Sequence, residues 1–299
     1  MTAFAPKDIF GIIPPTSTPF TARGEIDERA FRAELRFLLK CGAHGLAVGG
    51  STGEGHALNP DELHRLLGIA MEEADGKVPV VAGIIVDSTQ EAIERGQAAA
   101  ASGCAALQIT PVHYLFKPDD DHMEEHFRVV GTKVKLPILI YNVVPWSYLS
   151  PALLVRIMRR VPQVVGVKQS AGDLKLFADL MTSKPRDSRI FSAVDALMYP
   201  SFTLQADGAI AAILTAAPKA CVDLWDAVKA GDHKTALKLH KQLLAVWNAM
   251  HVGGGHNLPA AVKHALTVQG VKGGYPKMPM PAAYPAQQRA IARALKPLI

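Results

Sequence analysis

Eight short apolar runs, each followed by a stretch of helical length and periodicity, constrain the fold of this chain more than any other feature. The runs cover residues 11–15, 45–49, 79–84, 106–110, 137–141, 164–168, 190–193 and 208–213. They are near-continuously apolar rather than alternating, as expected for parallel strands buried on both faces. Residues 27–40 are representative of the intervening segments, with Phe31, Leu35, Leu38 and Leu39 on one helical face. Start signals agree. Asn59-Pro60-Asp61-Glu62 sets a cap, an N1 proline and an acidic first turn in order, Ser88-Thr89-Gln90-Glu91 has capping-box spacing, and Ser150-Pro151 opens another helix. Even spacing of eight strand–helix units predicts an α/β chain closed into a (β/α)8 TIM barrel, with an open doubly wound sheet as the competitor.

The pattern changes near residue 231. Beyond it there is no strand candidate, but helical stretches recur at 233–250, 258–269 and 285–295. The expected organisation is a barrel with the active site over 1–230 and a C-terminal helical subdomain over 231–299 packed on it. Gly253-Gly254-Gly255-His256 reads as a helix–helix connection.

Composition excludes several classes. A hydrophobic content of 49% suits a compact enzyme, and no run approaches the length of a membrane span. Met1-Thr2-Ala3-Phe4-Ala5-Pro6-Lys7-Asp8 has no basic-then-apolar leader pattern, and Cys41, Cys104 and Cys221 are odd in number and far apart. Both point to a reduced, cytoplasmic protein. The net charge of +5 is scattered, without basic tracts or interleaved aromatics. That argues against nucleic acid and favours anionic small substrates.

Barrel enzymes carry their chemistry at the C-terminal ends of strands. Lys168 ends the apolar run Val164-Val165-Gly166-Val167, and burial there would favour a neutral, nucleophilic amine. A lysine that reaches out to solvent remains the alternative. Gly49-Gly50-Ser51-Thr52-Gly53-Glu54-Gly55 follows the second run and can turn backbone amides toward an anion. It has no Walker lysine, so a small carboxylate fits better than a phosphate, and a plain strand–helix turn stays open. Tyr141 ends the fifth run and places a phenol at the rim, either as an acid–base group or as a tyrosine that bonds a neighbour. An amine, a phenol and a carboxylate cradle at one mouth suggest Schiff-base chemistry on a 2-oxo acid.

Gly50-Ser51-Thr52-Gly53-Glu54, Tyr141-Asn142-Val143 and Gly166-Val167-Lys168 resemble the signature segments of the dihydrodipicolinate synthase/N-acetylneuraminate lyase family, the class I pyruvate aldolases and lyases. Asp195-Ala196-Leu197, Gly208-Ala209-Ile210 and the helical C-terminal third fit as well. The resemblance implies that Lys168 forms an imine with pyruvate or a related 2-oxo acid, and that Tyr141 shuttles protons. It implies that Gly50, Ser51, Thr52 and Ile210 bind the acid, with Thr52 linking Tyr141 into a relay. It further implies a tyrosine donated across a subunit interface, here Tyr114 with His113 as a substitute, and a homo-oligomer, tetramer or dimer. No metal or organic cofactor is implied.

One departure bears on the second substrate. Dihydrodipicolinate synthases carry an arginine shortly after the catalytic tyrosine for the carboxylate of aspartate semialdehyde. This chain reads Tyr141-Asn142-Val143-Val144-Pro145-Trp146-Ser147-Tyr148 instead. An indole does not replace a bidentate guanidinium. The favoured reading is therefore an aldolase or lyase for a 2-keto-3-deoxy acid, cleaving it or condensing pyruvate with a neutral, hydroxylated or partly aromatic aldehyde. The alternatives are 4-hydroxy-tetrahydrodipicolinate synthase, a sugar-acid dehydratase, and remotely a non-catalytic 2-oxo acid binder. His122 and His126, one helical turn apart, lack the zinc-protease spacing and read as part of an acidic helix start.

Overall fold

A computed structural model describes residues 4–253 and 257–299. Gly254, Gly255 and His256 of the expected connection lie outside the described residues, as do Met1, Thr2 and Ala3. All eight expected strands form: β1 (Gly11–Ile12), β2 (Leu46–Val48), β3 (Val80–Ile84), β4 (Ala106–Ile109), β5 (Ile138–Asn142), β6 (Val164–Gln169), β7 (Arg189–Ser192) and β8 (Gly208–Ala209). They are parallel, in the order β1-β8-β7-β6-β5-β4-β3-β2. The two ends of that order also meet. Ala47 donates to the Pro14 carbonyl at 3.0 Å, and Thr16 donates to the Ala47 carbonyl at 2.8 Å. The sheet is thus a closed (β/α)8 barrel, not an open one.

Successive strand residues face opposite sides, and this divides the core in two. Ile9, Ile13, Ala47, Val81, Ala106, Leu139, Phe191 and Ile210 fill the barrel interior. Residues of the opposite parity, such as Leu46, Val80, Leu107, Ile138 and Ile190, meet the surrounding helices. Those helices are α1 (Glu28–Lys40), α2 (Pro60–Ala74), α3 (Thr89–Ala101), α4 (Asp120–Val134), α5 (Pro151–Arg160), α6 (Leu174–Ser183), α7 (Met198–Thr203), and the pair α8 (Ile213–Ala216) and α9 (Pro218–Lys229). The caps form as expected, but the Ser88–Glu91 capping box is only half made, because the Glu91 carboxylate bonds Arg95 rather than the Ser88 amide. Asn59 and Glu62 bond each other's backbone amides reciprocally at 2.9 and 2.8 Å, and Ser88 and Ser150 cap α3 and α5. On α1, Phe31, Leu35 and Leu38 are buried, but so is Glu34, which the apolar pattern did not anticipate.

Three further helices follow: α10 (His233–Met250), α11 (Leu258–Val268) and α12 (Pro285–Leu295). α10 packs on α9 and α12, while α11 packs on α8 and on the turn at Ser51–Gly53. α11 therefore reaches the end of the barrel that carries the Ser51–Gly53 turn. No helix among the described residues is long and apolar enough to cross a membrane.

Candidate active site

Parallel pairing of β5 with β6 sets Tyr141 and Lys168 as direct register partners. Both side chains are 3% exposed, and the Lys168 Nζ lies 3.6 Å from the centre of the Tyr141 ring. Burial lowers the Lys168 pKa from its ordinary value, against the opposing pull of Tyr141 and of Asp195. Lys168 does not escape to solvent. Nor is it the only lysine in such a position, because Lys263 on α11, which reads from sequence as a polar-face residue, is 2% exposed.

The glycine-rich segment after β2 folds back on itself. Gly53 and Gly55 both donate to the Gly50 carbonyl at 3.0 Å, and Ser51–Gly53 form one 3-10 turn. Gly49 has φ of +78°, and a side chain at Gly55 would collide with the Gly49 carbonyl, so both positions require glycine. The backbone amides of Ser51 and Thr52 open this turn and have no acceptor among the described residues. The Tyr141 hydroxyl donates to the Ser51 Oγ at 3.0 Å. The relay contact expected at Thr52 thus falls on Ser51, although Thr52 is buried and lines the same space.

That space is a cavity of about 230 Å³ at the mouth of the barrel. Ser51, Thr52, Tyr141, Lys168 and Ile210 line it, while Gly50 lies behind the turn as its cap. Asp195, Leu258 and Pro259 are among the contributors that had no role assigned from sequence. Asp195, at the start of a 3-10 turn after β7, is pushed up to about 6 by burial, although it accepts the Ile213 amide at 2.6 Å. Leu258 and Pro259 bring the first turn of α11 to the rim. Asp195 carried a sequence signal, an acidic residue just past a strand end, whereas the α11 contact is long-range and had none.

Other expected residues lie elsewhere. Tyr114 is 76% exposed and outside the cavity of its own protomer. Its amide and that of His113 donate to one Asp87 oxygen at 2.8 and 2.7 Å. Trp146 is 72% exposed, and its indole nitrogen donates to the His113 carbonyl at 2.7 Å. The indole therefore braces the Tyr114 loop and does not enter the cavity, which removes the case for an aromatic second substrate. Gln169, next after Lys168, is buried and accepts from the Asn142 amide at 3.1 Å, whereas the following Ser170 lines the cavity. His122 pairs with Asp119 and His126 contacts Thr89, so the two histidines do not converge.

The sequence pattern of the dihydrodipicolinate synthetase family matches residues 8–298. A 4-hydroxy-tetrahydrodipicolinate synthase from Methanopyrus kandleri is 33% identical over 294 residues, covering 97% of this chain and 96% of the relative. The chain belongs to the dihydrodipicolinate synthetase family. It is an enzyme of the class I lyase and aldolase type that this family comprises. Among solved structures, YagE, an E. coli K12 prophage protein of the same family in complex with pyruvate, superimposes with a TM-score of 0.92 at 25% identity, covering 97% of this chain and 98% of that one. N-acetylneuraminate lyase from Fusobacterium nucleatum has a TM-score of 0.88 over 98% of this chain and 99% of its own. At 24% identity it shows the shared fold alone.

Proposed function

We propose that this family member forms an imine between Lys168 and pyruvate or a related 2-oxo acid, and uses it to make or break a C–C bond to an aldehyde. The observation that carries the reading is a buried lysine of lowered pKa against Tyr141, in one cavity with the Ser51-Thr52 turn. The neutral amine adds to the 2-oxo carbon, and the carbinolamine hydroxyl then takes up one proton, delivered from solvent through Tyr141, and leaves as water to give the protonated imine. That imine is an electron sink. In condensation it releases a C3 proton to give an enamine, which attacks the aldehyde carbon. The new alkoxide then takes a proton, and cleavage runs the same steps backwards. Tyr141 carries those protons, a reading supported by its hydrogen bond to Ser51. The open amides and hydroxyls of Ser51 and Thr52 hold the 2-oxo acid carboxylate, with Ile210 against its apolar side. Protein groups supply every step, without a metal or organic cofactor.

The second substrate is a neutral, hydroxylated aldehyde, so that the condensed product is a 2-keto-3-deoxy acid. No arginine lines the cavity among the described residues, and its charged groups are Lys168 and Asp195. A second carboxylate would meet no cation there besides the reacting amine, whereas Asp195 and Ser170 suit hydroxyls. The second reading is 4-hydroxy-tetrahydrodipicolinate synthase, favoured by the name of the Methanopyrus kandleri relative. Turnover of pyruvate with a panel of hydroxyaldehydes and with aspartate semialdehyde, alongside sugar-derived 2-oxo acids alone, separates aldolase, synthase and dehydratase. Preferred turnover of aspartate semialdehyde would overturn the argument from the missing arginine.

The working form is a homotetramer built from dimers that share Tyr114. Tyr114, Leu115 and Phe116 are 76%, 72% and 82% exposed, more apolar surface than one loop of an isolated protomer leaves to water without a partner. Residues 1–230 serve as the barrel, and 231–299 as a helical subdomain that helps to shape its mouth. The compartment is the cytoplasm, in keeping with free Cys41, Cys104 and Cys221.

A further inference from the structure

Directly after the Ser51-Thr52-Gly53 turn, Glu54 has a left-handed backbone, φ +57°, and is 1% exposed. A non-glycine residue in that conformation is strained. Its carboxylate is turned away from the cavity, where Lys263 of α11, 209 residues later in the chain, forms an ion pair with it. Both side chains are shielded from water. The second carboxylate oxygen accepts the Lys277 amide at 2.7 Å, and the Lys263 ammonium also donates to the Tyr275 carbonyl at 2.8 Å. The Lys277 ammonium in turn bonds Glu62 on α2. From the other side, the Thr18 hydroxyl donates to the Gly53 carbonyl at 2.7 Å. The adjoining Ser17 is held through its amide, at 2.6 Å, and its hydroxyl by the buried Glu34 of α1.

Burying an ion pair costs desolvation that its attraction does no more than offset, and well-packed apolar residues usually serve stability as well or better. Strain and a buried charge pair coincide at the residue that closes the cradle, and neither belongs to the cavity lining. The geometry points to Glu54 and Lys263 as a positioning pair. It holds the Ser51-Thr52 amides at the angle that receives the 2-oxo acid carboxylate, and thereby makes the C-terminal helices part of the substrate site. Leu258 and Pro259, on the first turn of the same helix, line the cavity, so one element would set both the floor and the rim. The inference rests on the reading of that turn as the carboxylate cradle.

The test is the pyruvate dependence of borohydride-trapped adduct on Lys168 in the full-length protein, for wild type, Glu54→Gln and the double variant Glu54→Gln/Lys263→Met. The double variant leaves no unpaired charge, and so keeps the fold where the single one does not; melting curves check it. The expected result is half-saturation at roughly tenfold higher pyruvate in folded variants, with the saturating yield of adduct unchanged, because a displaced cradle weakens binding and leaves the amine intact. Half-saturation at the wild-type concentration in a folded variant would overturn the positioning role while the imine reading stands. Absence of adduct in the wild type would overturn both.

Discussion

The Lys168 amine rests 3.6 Å from the centre of the Tyr141 ring, and the Tyr141 hydroxyl bonds Ser51 at 3.0 Å. One phenol therefore touches both the nucleophile and the cradle. Two adjacent parallel strands and the turn after β2 converge on it.

Burial holds Lys168 below its ordinary pKa of 10.5. The folded state then binds fewer protons than the unfolded state, so the penalty for burying the amine is present at neutral pH. It is lost as pH rises toward the ordinary lysine value. Lys168→Met should abolish imine formation and stabilise the protein at pH 7 by about 1–3 kcal/mol, a rise of a few degrees in Tm. The gain should shrink at pH 10. Thermal melts at both pH values check this, and a lower Tm at pH 7 would show that the amine is not under strain.

Tyr141→Phe keeps the ring beside Lys168 and removes the hydroxyl. Loss of an acid–base group lowers kcat by about 10²–10³-fold, and with the turn itself untouched KM for pyruvate should stay within about threefold. Steady-state kinetics read both. An unchanged kcat would remove Tyr141 from proton transfer.

The barrel was legible because buried parallel strands and amphipathic helices have local periods, and Lys168 and Tyr141 because strand ends in a barrel are where polar groups meet the mouth. Glu54 and Lys263 were not legible. Their pairing joins positions 209 residues apart, and Lys263 on α11 reads locally as an exposed helical lysine. Glu34 was hidden in the same way, its partner Ser17 lying 17 residues earlier in the loop between β1 and α1. Trp146 misled for the opposite reason. Its position in sequence implied the rim, but its bond to the His113 carbonyl turns the ring outward.

Glu34 is pushed up to about 7, chiefly by burial, against the hydrogen bonds from Ser17 and the charge of Lys263. A carboxyl whose folded pKa exceeds its unfolded value contributes stability below the ordinary pKa and loses it as pH rises through about 7. Asp195, raised to about 6, acts in the same sense, so the informative quantity is a difference. Between about pH 5 and pH 8, Tm of the wild type should fall more steeply than that of Glu34→Gln, which cannot ionise. Parallel slopes would contradict this.

Leu115→Asp and Phe116→Asp place charges on the exposed loop beside Tyr114. If that loop is the shared dimer surface, each variant should sediment as a smaller species than wild type, with kcat at least about tenfold lower because the borrowed tyrosine is lost. An unaltered sedimentation profile would separate the loop from assembly.

The imine on Lys168 is the claim on which the rest depends. Incubation of the wild-type protein with pyruvate and borohydride, followed by peptide mass spectrometry, should place one reduced pyruvyl adduct on the peptide that contains Lys168 and none on Lys263. An unmodified Lys168 peptide, or an adduct on another lysine, would contradict the account.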